Sequence, residues 1–508
     1  MPTSYLLALD QGTTNCRAIL FDGQGQIVSS TQQSITQFFP KPGWVEQDPE
    51  EILRVQLAVM QDTVAKAAVN PGSIAALGLT NQRETIVLWD RHTGRPVYPA
   101  IVWQCRRTAD ICANLTARGL AGEISERTGL VIDAYFSATK LMWMLDELPG
   151  VRARAERGDL LAGTIDSWLI WHLSGRQRHV TDVSNASRTM LFNLHTGTWD
   201  EELLREMRIP MAVLPEIVSS SGLVATLDPV ILPGGIPISG IAGDQQSALF
   251  GQACLESGMT KNTYGTGCFI LMNTGRQLVR SHHGLITTVA WDLGQGLEYA
   301  LEGSVFNAVS AIHWLRDSLG MIRRSSECDQ LAAAVDDTGG VFFVPAFSGL
   351  GAPYWDMQAR GMMIGLTRGS RKEQIARAVL ESIAHQSQDV LECMQADSGI
   401  SIDSQTASHL PLRVDGGASV SNLLMQFQAD ISGLAVDRPL VTETTALGAA
   451  CLAGLAVGIW PDLPSMSSMR STERLFLPAM ATAERQQRRA EWKRAVAAAI
   501  SYGHSGCL

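Results

Sequence analysis

Apolar positions recur along this chain in two registers. After Asp48-Pro49-Glu50-Glu51, residues Leu53, Leu57, Met60 and Val64 return at three- and four-residue intervals, the spacing of one helix face. An acidic cap, proline at the first helical position and Glu51 three residues past the cap mark the helix start. Ile375, Val379 and Ile383 mark a buried face on a helix predicted over 373–397, and a further helix is expected over 305–319. Short apolar runs bounded by turn residues read as strands over 5–9, 17–21, 74–79, 236–242, 341–344 and 412–414. Hairpins are expected around 85–94 and across 261–273. The apolar run 446–459 contains glycines and is too short to span a bilayer, so it predicts a buried helix packed through small residues. The polar stretch 401–410 predicts an exposed loop.

Strand, hairpin, helix, strand is the ribonuclease-H-like order, and the second half repeats it. A chain of 508 residues exceeds one hydrophobic core. The boundary is placed near Gly251, giving domains 1–251 and 252–508. An apolar content of 45% with 18% charged residues suits a globular enzyme. The net charge of −10, without a basic stripe, excludes nucleic acid as partner. Arg488 and Arg489 read as a solvated helix face. Nine cysteines, an odd count without Cys-x-x-Cys spacing, read as free thiols of a reducing compartment; with no signal peptide and no membrane span, this points to the cytoplasm.

The chemistry concentrates at strand ends. Asp10-Gln11-Gly12-Thr13-Thr14-Asn15 joins two strands by a turn rich in N–H and hydroxyl donors. Such a tip can receive a phosphate, with Asp10 beside it to hold a hydrated cation, although many Asp-Gly-Thr turns are only turns. Tyr264-Gly265-Thr266-Gly267 repeats the turn in the second half, and Leu412-Arg-Val-Asp415-Gly416-Gly417-Ala418 adds a glycine turn after a strand. Arg83 and Glu84 are neighbours at a strand end, either a surface ion pair or a donor and acceptor for adjacent hydroxyls. Asp244 follows an apolar run and a glycine, either as a helix cap or as a base.

These motifs, in this order, resemble the actin and sugar-kinase superfamily, in which two related α/β domains of actin-like (ribonuclease-H-like) fold clamp a nucleotide. Tyr135-Phe-Ser-Ala-Thr-Lys140-Leu-Met-Trp143 and Gly361-Met-Met-Ile-Gly365-Leu366 resemble the signatures of the FGGY carbohydrate kinases. Thr80-Asn-Gln-Arg83-Glu84-Thr, Val102-Trp103-Gln104-Cys105-Arg106-Arg107 and Gly243-Asp244-Gln245-Gln246 resemble the glycerol-kinase branch of that family. The resemblance runs from Leu7 to about Trp492.

It implies ATP-dependent phosphorylation of glycerol to sn-glycerol 3-phosphate, with the active site in the interdomain cleft, ATP and Mg²⁺ as cofactors, and a homo-oligomer, dimer or tetramer. Asp244 would be the catalytic base. Arg83, Glu84, Tyr135 and Gln245 would hydrogen-bond the polyol, and Trp103 and Phe269 would cover its carbon side. Thr13, Thr14, Asn15, Arg17 and Thr266 would contact phosphates, Asp10 would hold Mg²⁺ through water, and Gly417 would lie in the adenosine turn. Val309, His313 and Ser421 stand where relatives carry glycine, glutamine and asparagine, near purine and ribose. In many bacterial relatives a glycine-rich loop ending in arginine binds the inhibitor fructose bisphosphate; here the stretch from Asp228 to Pro237 has no Arg or Lys. Two other readings stay open: another FGGY kinase, acting on erythritol, gluconate or a pentulose, and a non-enzymatic nucleotide switch. Arg83-Glu84 with Trp103 separates the first, and Asp244-Gln245 argues against the second.

Overall fold

The computed structural model describes residues 4–400 and 410–505. The loop expected over 401–410 lies outside the described residues except for Leu410.

Each half is built on one mixed sheet. The first is six-stranded, in the order Ser221–Thr226, Pro237–Gly243, Ile74–Asn81, Tyr5–Gln11, Asn15–Phe21, Ile27–Ser34. The second is seven-stranded, in the order Ile286–Asp292, Leu297–Val305, Cys268–Gly275, Thr260–Tyr264, Leu412–Asp415, Val436–Pro439, Thr472–Phe476. In both, an antiparallel set of strands precedes a parallel strand on the open side of the first strand, in chain order in the first sheet and with Leu297–Val305 inserted between Cys268–Gly275 and Ile286–Asp292 in the second. Six strands of the two sheets correspond in position and the edge strand Ile286–Asp292 of the second has no counterpart, which is the duplicated α/β architecture the element order predicts with one strand added.

The halves share a core. Helix Thr444–Ala456, from the second half, packs on strands Ile74–Asn81, Pro237–Gly243 and Tyr5–Gln11 of the first sheet. Helix Asp244–Gly251, from the first half, lies against it and touches the hairpin of the second sheet. The two helices meet backbone to backbone: a Cβ on Gly448 would sit 1.8 Å from the Ser247 carbonyl oxygen, so no side chain fits there. Leu6, Phe250, Ala450 and Leu452 belong to one buried cluster. Helix Thr444–Ala456 thus confirms the buried, small-residue helix expected from its apolar run.

Local signals hold with identifiable exceptions. Asp48 caps helix Pro49–Ala67, accepting from the Glu50 N–H at 2.9 Å. Glu51 does not close a capping box; its carboxylate instead accepts from the Thr36 N–H at 3.2 Å and hydroxyl at 3.1 Å. The buried face centres on Ile52, Val55, Val59 and Met60, with Leu53 and Leu57 at its rim. The helix expected over 305–319 begins later, at Val309–Asp317, because Val305 pairs with Cys268 in the sheet. Strand Ile86–Asp90 pairs chiefly with Leu160–Thr164, a long-range partner that a local hairpin pattern does not reveal. Arg488 and Arg489 are not a solvated face: they reach Glu381 and Glu392 of helix Lys372–Ser398. Among the described residues no helix is long and apolar enough to cross a membrane.

Candidate active site

Register brings the first-half residues together. Along the parallel ladders Asp10 lies level with Thr80, while Gln11 and Gly243 both lie level with Asn81. Three adjacent strands therefore end on one edge, delivering Gly12-Thr13, Gln82-Arg83-Glu84 and Asp244 to the crevice where α/β sheets bind ligands.

The first phosphate turn is closed by the Gly12 N–H donating to the Asn15 carbonyl at 2.9 Å. Thr14 is exposed, and Thr13 and Asn15 are half-buried. The Thr13 carbonyl accepts from Gln47 Nε2 at 2.6 Å. Arg17 stands level with Asp10 and pairs with Glu443, the cap position of helix Thr444–Ala456. In the second half the Gly265 N–H donates to the Gly267 carbonyl at 2.9 Å. The Thr266 carbonyl accepts from the N–H groups of Ala308 at 2.9 Å and Ser310 at 3.3 Å, which ties this turn to the helix carrying Val309 and His313. Both of those residues are half-buried. Gly416 has φ +85° and a Cβ there would lie 2.6 Å from the Tyr264 carbonyl oxygen, so only glycine lets the two turns approach. Gly417 next to it faces open space. Ser421 caps helix Asn422–Ser432, accepting from the Leu424 N–H at 3.1 Å and donating to Asp329 at 2.5 Å. Its hydroxyl is thus engaged by the fold.

Arg83 and Glu84 are buried, not a surface pair. Their side chains stand 4.0 Å apart and each has a different principal partner. Arg83 forks onto Glu302 at 2.5 and 3.0 Å and donates to Gln246 at 3.2 Å. Glu84 accepts from Arg188 Nε at 2.6 Å. The Thr85 N–H reaches the Arg83 carbonyl at 2.7 Å around Glu84, which has φ +60°. A three-residue turn of that hand is strained for a non-glycine residue, by about 1–3 kcal/mol, and such strain collects at functional sites. Around this pair stand the aromatics. Trp103 lies edge-on to Tyr135 at 5.5 Å and to Phe269 at 6.5 Å, and the Arg83 guanidinium is 6.0 Å from the Phe269 ring. Gln245 accepts from Lys261 Nζ at 2.5 Å.

Asp244 opens helix Asp244–Gly251, with Gly243 rather than Asp244 as its cap. Its Oδ1 accepts from the Gln245 N–H at 2.7 Å and lies 3.2 Å from Arg83 Nε. Both contacts use one oxygen, which leaves Oδ2 uncommitted among the described residues. The side chain is 30% exposed where that of Arg83 is 2% exposed, so a ligand can reach this carboxylate. Burial pushes its pKa above the ordinary carboxylate value, against the pull of Arg83 and Lys261. The Asp10 carboxyl is pushed up to about 6 by burial, opposed by Arg17 and reinforced by Asp244 and Glu443. An excess of carboxylates over cations at that point fits a bound cation. No cluster of three or more His, Cys, Asp or Glu side chains suited to a metal occurs among the described residues. A Mg²⁺ ion would therefore depend on Asp10, water and phosphate oxygens, the manner in which that ion is usually held. Cys16 and Cys268, beside the two turns, are thiols pushed up to about 12 by burial, so they fill space and are not nucleophiles.

The eight cysteines among the described residues are free, in line with the sequence reading. Sequence reasoning missed Arg188, Lys261, Glu302 and Glu443. Each is an isolated charge in an apolar or polar run, with no motif around it. A cavity of about 680 Å³ between Trp199 and Asp292 includes none of the site residues.

Two duplicated sheets, a glycine turn at the edge of each and a carboxylate at the junction are the architecture of a two-domain kinase of the actin-like class. The N-terminal domain of the FGGY family of carbohydrate kinases matches residues 5–251, and its C-terminal domain matches residues 260–457. The chain belongs to the FGGY family of carbohydrate kinases. It is 57% identical over 497 residues to a glycerol kinase of Carboxydothermus hydrogenoformans, covering 98% of each chain. It is 55% identical over 498 residues to glycerol kinase 2 of Thermotoga maritima, covering 98% of this chain and 99% of that one. The structure of Plasmodium falciparum glycerol kinase with ADP superposes with a TM-score of 0.91 at 37% identity, over 98% of both chains. A gluconate kinase of Lactobacillus acidophilus, 22% identical, shares the fold at a TM-score of 0.87 over 99% of both chains.

Proposed function

We propose that this chain is a glycerol kinase that transfers the γ-phosphoryl group of ATP to glycerol, giving sn-glycerol 3-phosphate. The observation that carries the reading is the juxtaposition of Arg83, Glu84 and Asp244, with Phe269 beside Arg83 and Trp103 beside Phe269. Arg83 offers donors and Glu84 an acceptor to neighbouring hydroxyls, and the rings cover the carbons between them. A ligand that cannot use the hydrogen-bonding capacity left on Arg83 and Glu84 after their pairing with Glu302 and Arg188 is penalised, which selects a small vicinal polyol over an apolar one. The relatives at 55–57% identity carry the name glycerol kinase, which supports the same substrate.

Asp244 is the base in this reading. Its Oδ1 is anchored by the Gln245 N–H, so Oδ2 takes the proton as the hydroxyl oxygen attacks phosphorus. Tyr135 and Gln245 add hydrogen bonds that orient the polyol. Thr13, Thr14, Asn15 and Arg17 on one side, and Thr266 on the other, hold the phosphates in line. Val309, His313, Gly417 and Ser421 border the purine and ribose. A hydrated Mg²⁺ at Asp10 would neutralise charge on the phosphate oxygens. Arg17 exchanges Glu443 for phosphate when the nucleotide enters.

A coupled assay with ATP across glycerol, dihydroxyacetone, erythritol and xylulose tests the reading. Glycerol should give the highest kcat/KM, and a preference for erythritol or xylulose would move the chain to another FGGY activity. ATP hydrolysis without a phosphorylated polyol would turn it into a nucleotide switch.

A further inference from the structure

Behind the polyol-facing pair lies a carboxylate from the other half of the molecule. Glu302, on strand Leu297–Val305, has no exposed surface. Its Oε2 is 2.5 Å from Arg83 Nη1, and its Oε1 is 3.0 Å from both Arg83 Nη2 and Arg188 Nη2. Arg188, equally buried, turns its Nε to Glu84 at 2.6 Å. Arg83 and Glu84 are therefore held less by each other than by a second ion pair, Arg188 and Glu302. The four charges cancel. Burial alone would raise the Glu302 carboxyl, yet the two guanidinium groups hold it down at about 2, so it stays ionised.

Stability is a weak reason for such a network. A buried ion pair often gains nothing over apolar residues of the same volume. Arg188 Nη1 also has no hydrogen-bond partner among the described residues. What the fork does achieve is geometric. Two parallel N–H···O bonds fix the plane of the Arg83 guanidinium. With Nη1 spent on Glu302 and Gln246 and Nε facing Asp244 Oδ1 at 3.2 Å, one Nη2 hydrogen of Arg83 is left without a protein partner.

We propose that Glu302 is a positioning residue for polyol recognition: from the second half it fixes Arg83 directly and Glu84 through Arg188, so that glycerol affinity depends on a contact across the two halves. The inference rests on the glycerol reading.

The test compares the full-length protein with Glu302→Gln, Arg83→Ala and the double variant, measuring KM for glycerol and for ATP. Loss of a charged hydrogen-bond partner should raise the glycerol KM about 10–100-fold in Glu302→Gln, with ATP KM within about twofold of wild type. Adding Glu302→Gln to Arg83→Ala should raise the glycerol KM by less than Glu302→Gln does in the wild type, because only the route through Arg188 to Glu84 is then left to lose. Glu302→Asp, which keeps the charge one methylene farther back, should fall between wild type and Glu302→Gln. An unchanged glycerol KM in Glu302→Gln, equal losses for both substrates, or multiplying effects in the double variant would overturn the proposal. Should Glu302→Gln not fold, a wild-type glycerol KM in Glu302→Asp would overturn it instead. A wild-type protein that does not phosphorylate glycerol would remove the glycerol reading and this inference together. An active wild type with unaffected variants would remove the inference alone.

Discussion

The indole Nε1–H of Trp103 donates to the hydroxyl of Thr13 at 2.9 Å. In the proposed site this bond ties the polyol wall to the first phosphate turn, so the ring assigned to glycerol's carbons also holds a threonine assigned to the nucleotide. Removing the bond while keeping a ring separates the two roles. Trp103→Phe should raise the ATP KM by about 2–10-fold, the worth of one neutral hydrogen bond. A change confined to the glycerol KM would mean that the Trp103–Thr13 bond plays no part in nucleotide binding.

Asp244→Asn should bind both substrates nearly as wild type and lose about 10²-fold or more in kcat, since an amide cannot take the proton. The pH dependence follows from burial. The Asp244 carboxyl titrates above its ordinary value, and only the ionised form accepts a proton. Activity should therefore be full above that raised pKa and fall as pH drops through it, with the acid limb lying higher than for an exposed aspartate. Near-wild-type turnover in Asp244→Asn, or an acid limb no higher than that of an ordinary aspartate, would remove the base assignment.

Val309 and His313 occupy successive turns of the helix that is strapped to Thr266. In the proposed nucleotide site a branched side chain and an imidazole there would narrow the space beside the purine. Val309→Gly with His313→Gln should lower the ATP KM. The glycine lies in the first turn, where its cost to the helix is least. An unchanged ATP KM in the double variant, with thermal stability retained, would show that these side chains do not reach the nucleotide.

The difference between what was legible in the sequence and what was not is one of distance along the chain. Asp48-Pro49 declares a helix start within a few residues, and Thr13 and Thr266 declare turns in the same way, so the order of elements and the duplicated architecture could be read. Asp10, Arg83 and Asp244 were legible because each closes an apolar run, and strand ends in a parallel sheet converge. Glu302 is separated from Arg83 by 219 positions and sits inside a strand whose pattern reads as an ordinary core. Nothing local distinguishes it from a surface glutamate. The register that brings it to Arg83 is a property of two sheets packed across shared helices, which appears only in three dimensions. The shift at Val305 has the same origin: its helical spacing is real, but pairing with Cys268 claims it for the sheet. Arg488 and Arg489 misled for the converse reason, because their carboxylate partners come from a helix about a hundred residues earlier.

The last prediction concerns inhibition by fructose bisphosphate, expected to be absent. The segment that corresponds to the inhibitor loop of relatives joins strands Ser221–Thr226 and Pro237–Gly243. Three of its backbone donors are turned inward. The N–H groups of Ile231 and Leu232 reach the Asp228 carbonyl at 2.9 and 3.3 Å, and that of Val230 reaches the Asp228 carboxylate at 2.9 Å. Pro229 and Pro233 have no N–H to offer. A sugar bisphosphate needs Arg forks or clustered free N–H groups; this loop has no Arg or Lys, three of its N–H groups are committed to Asp228, and the Asp228 charge repels the ligand. Gly234, with φ +130°, leans on the backbone of Pro71 and Gly72, so the loop is also held against the body of the first half. Introducing a charge alone should not create the site: Val230→Arg, at a position 90% exposed, should remain insensitive because the neighbouring N–H groups stay committed to Asp228. Steady-state rates with glycerol and ATP at rising fructose bisphosphate decide the matter. Saturable inhibition of the wild type below about 1 mM, an affinity of roughly −4 kcal/mol or better, would require an anion site elsewhere on the protein.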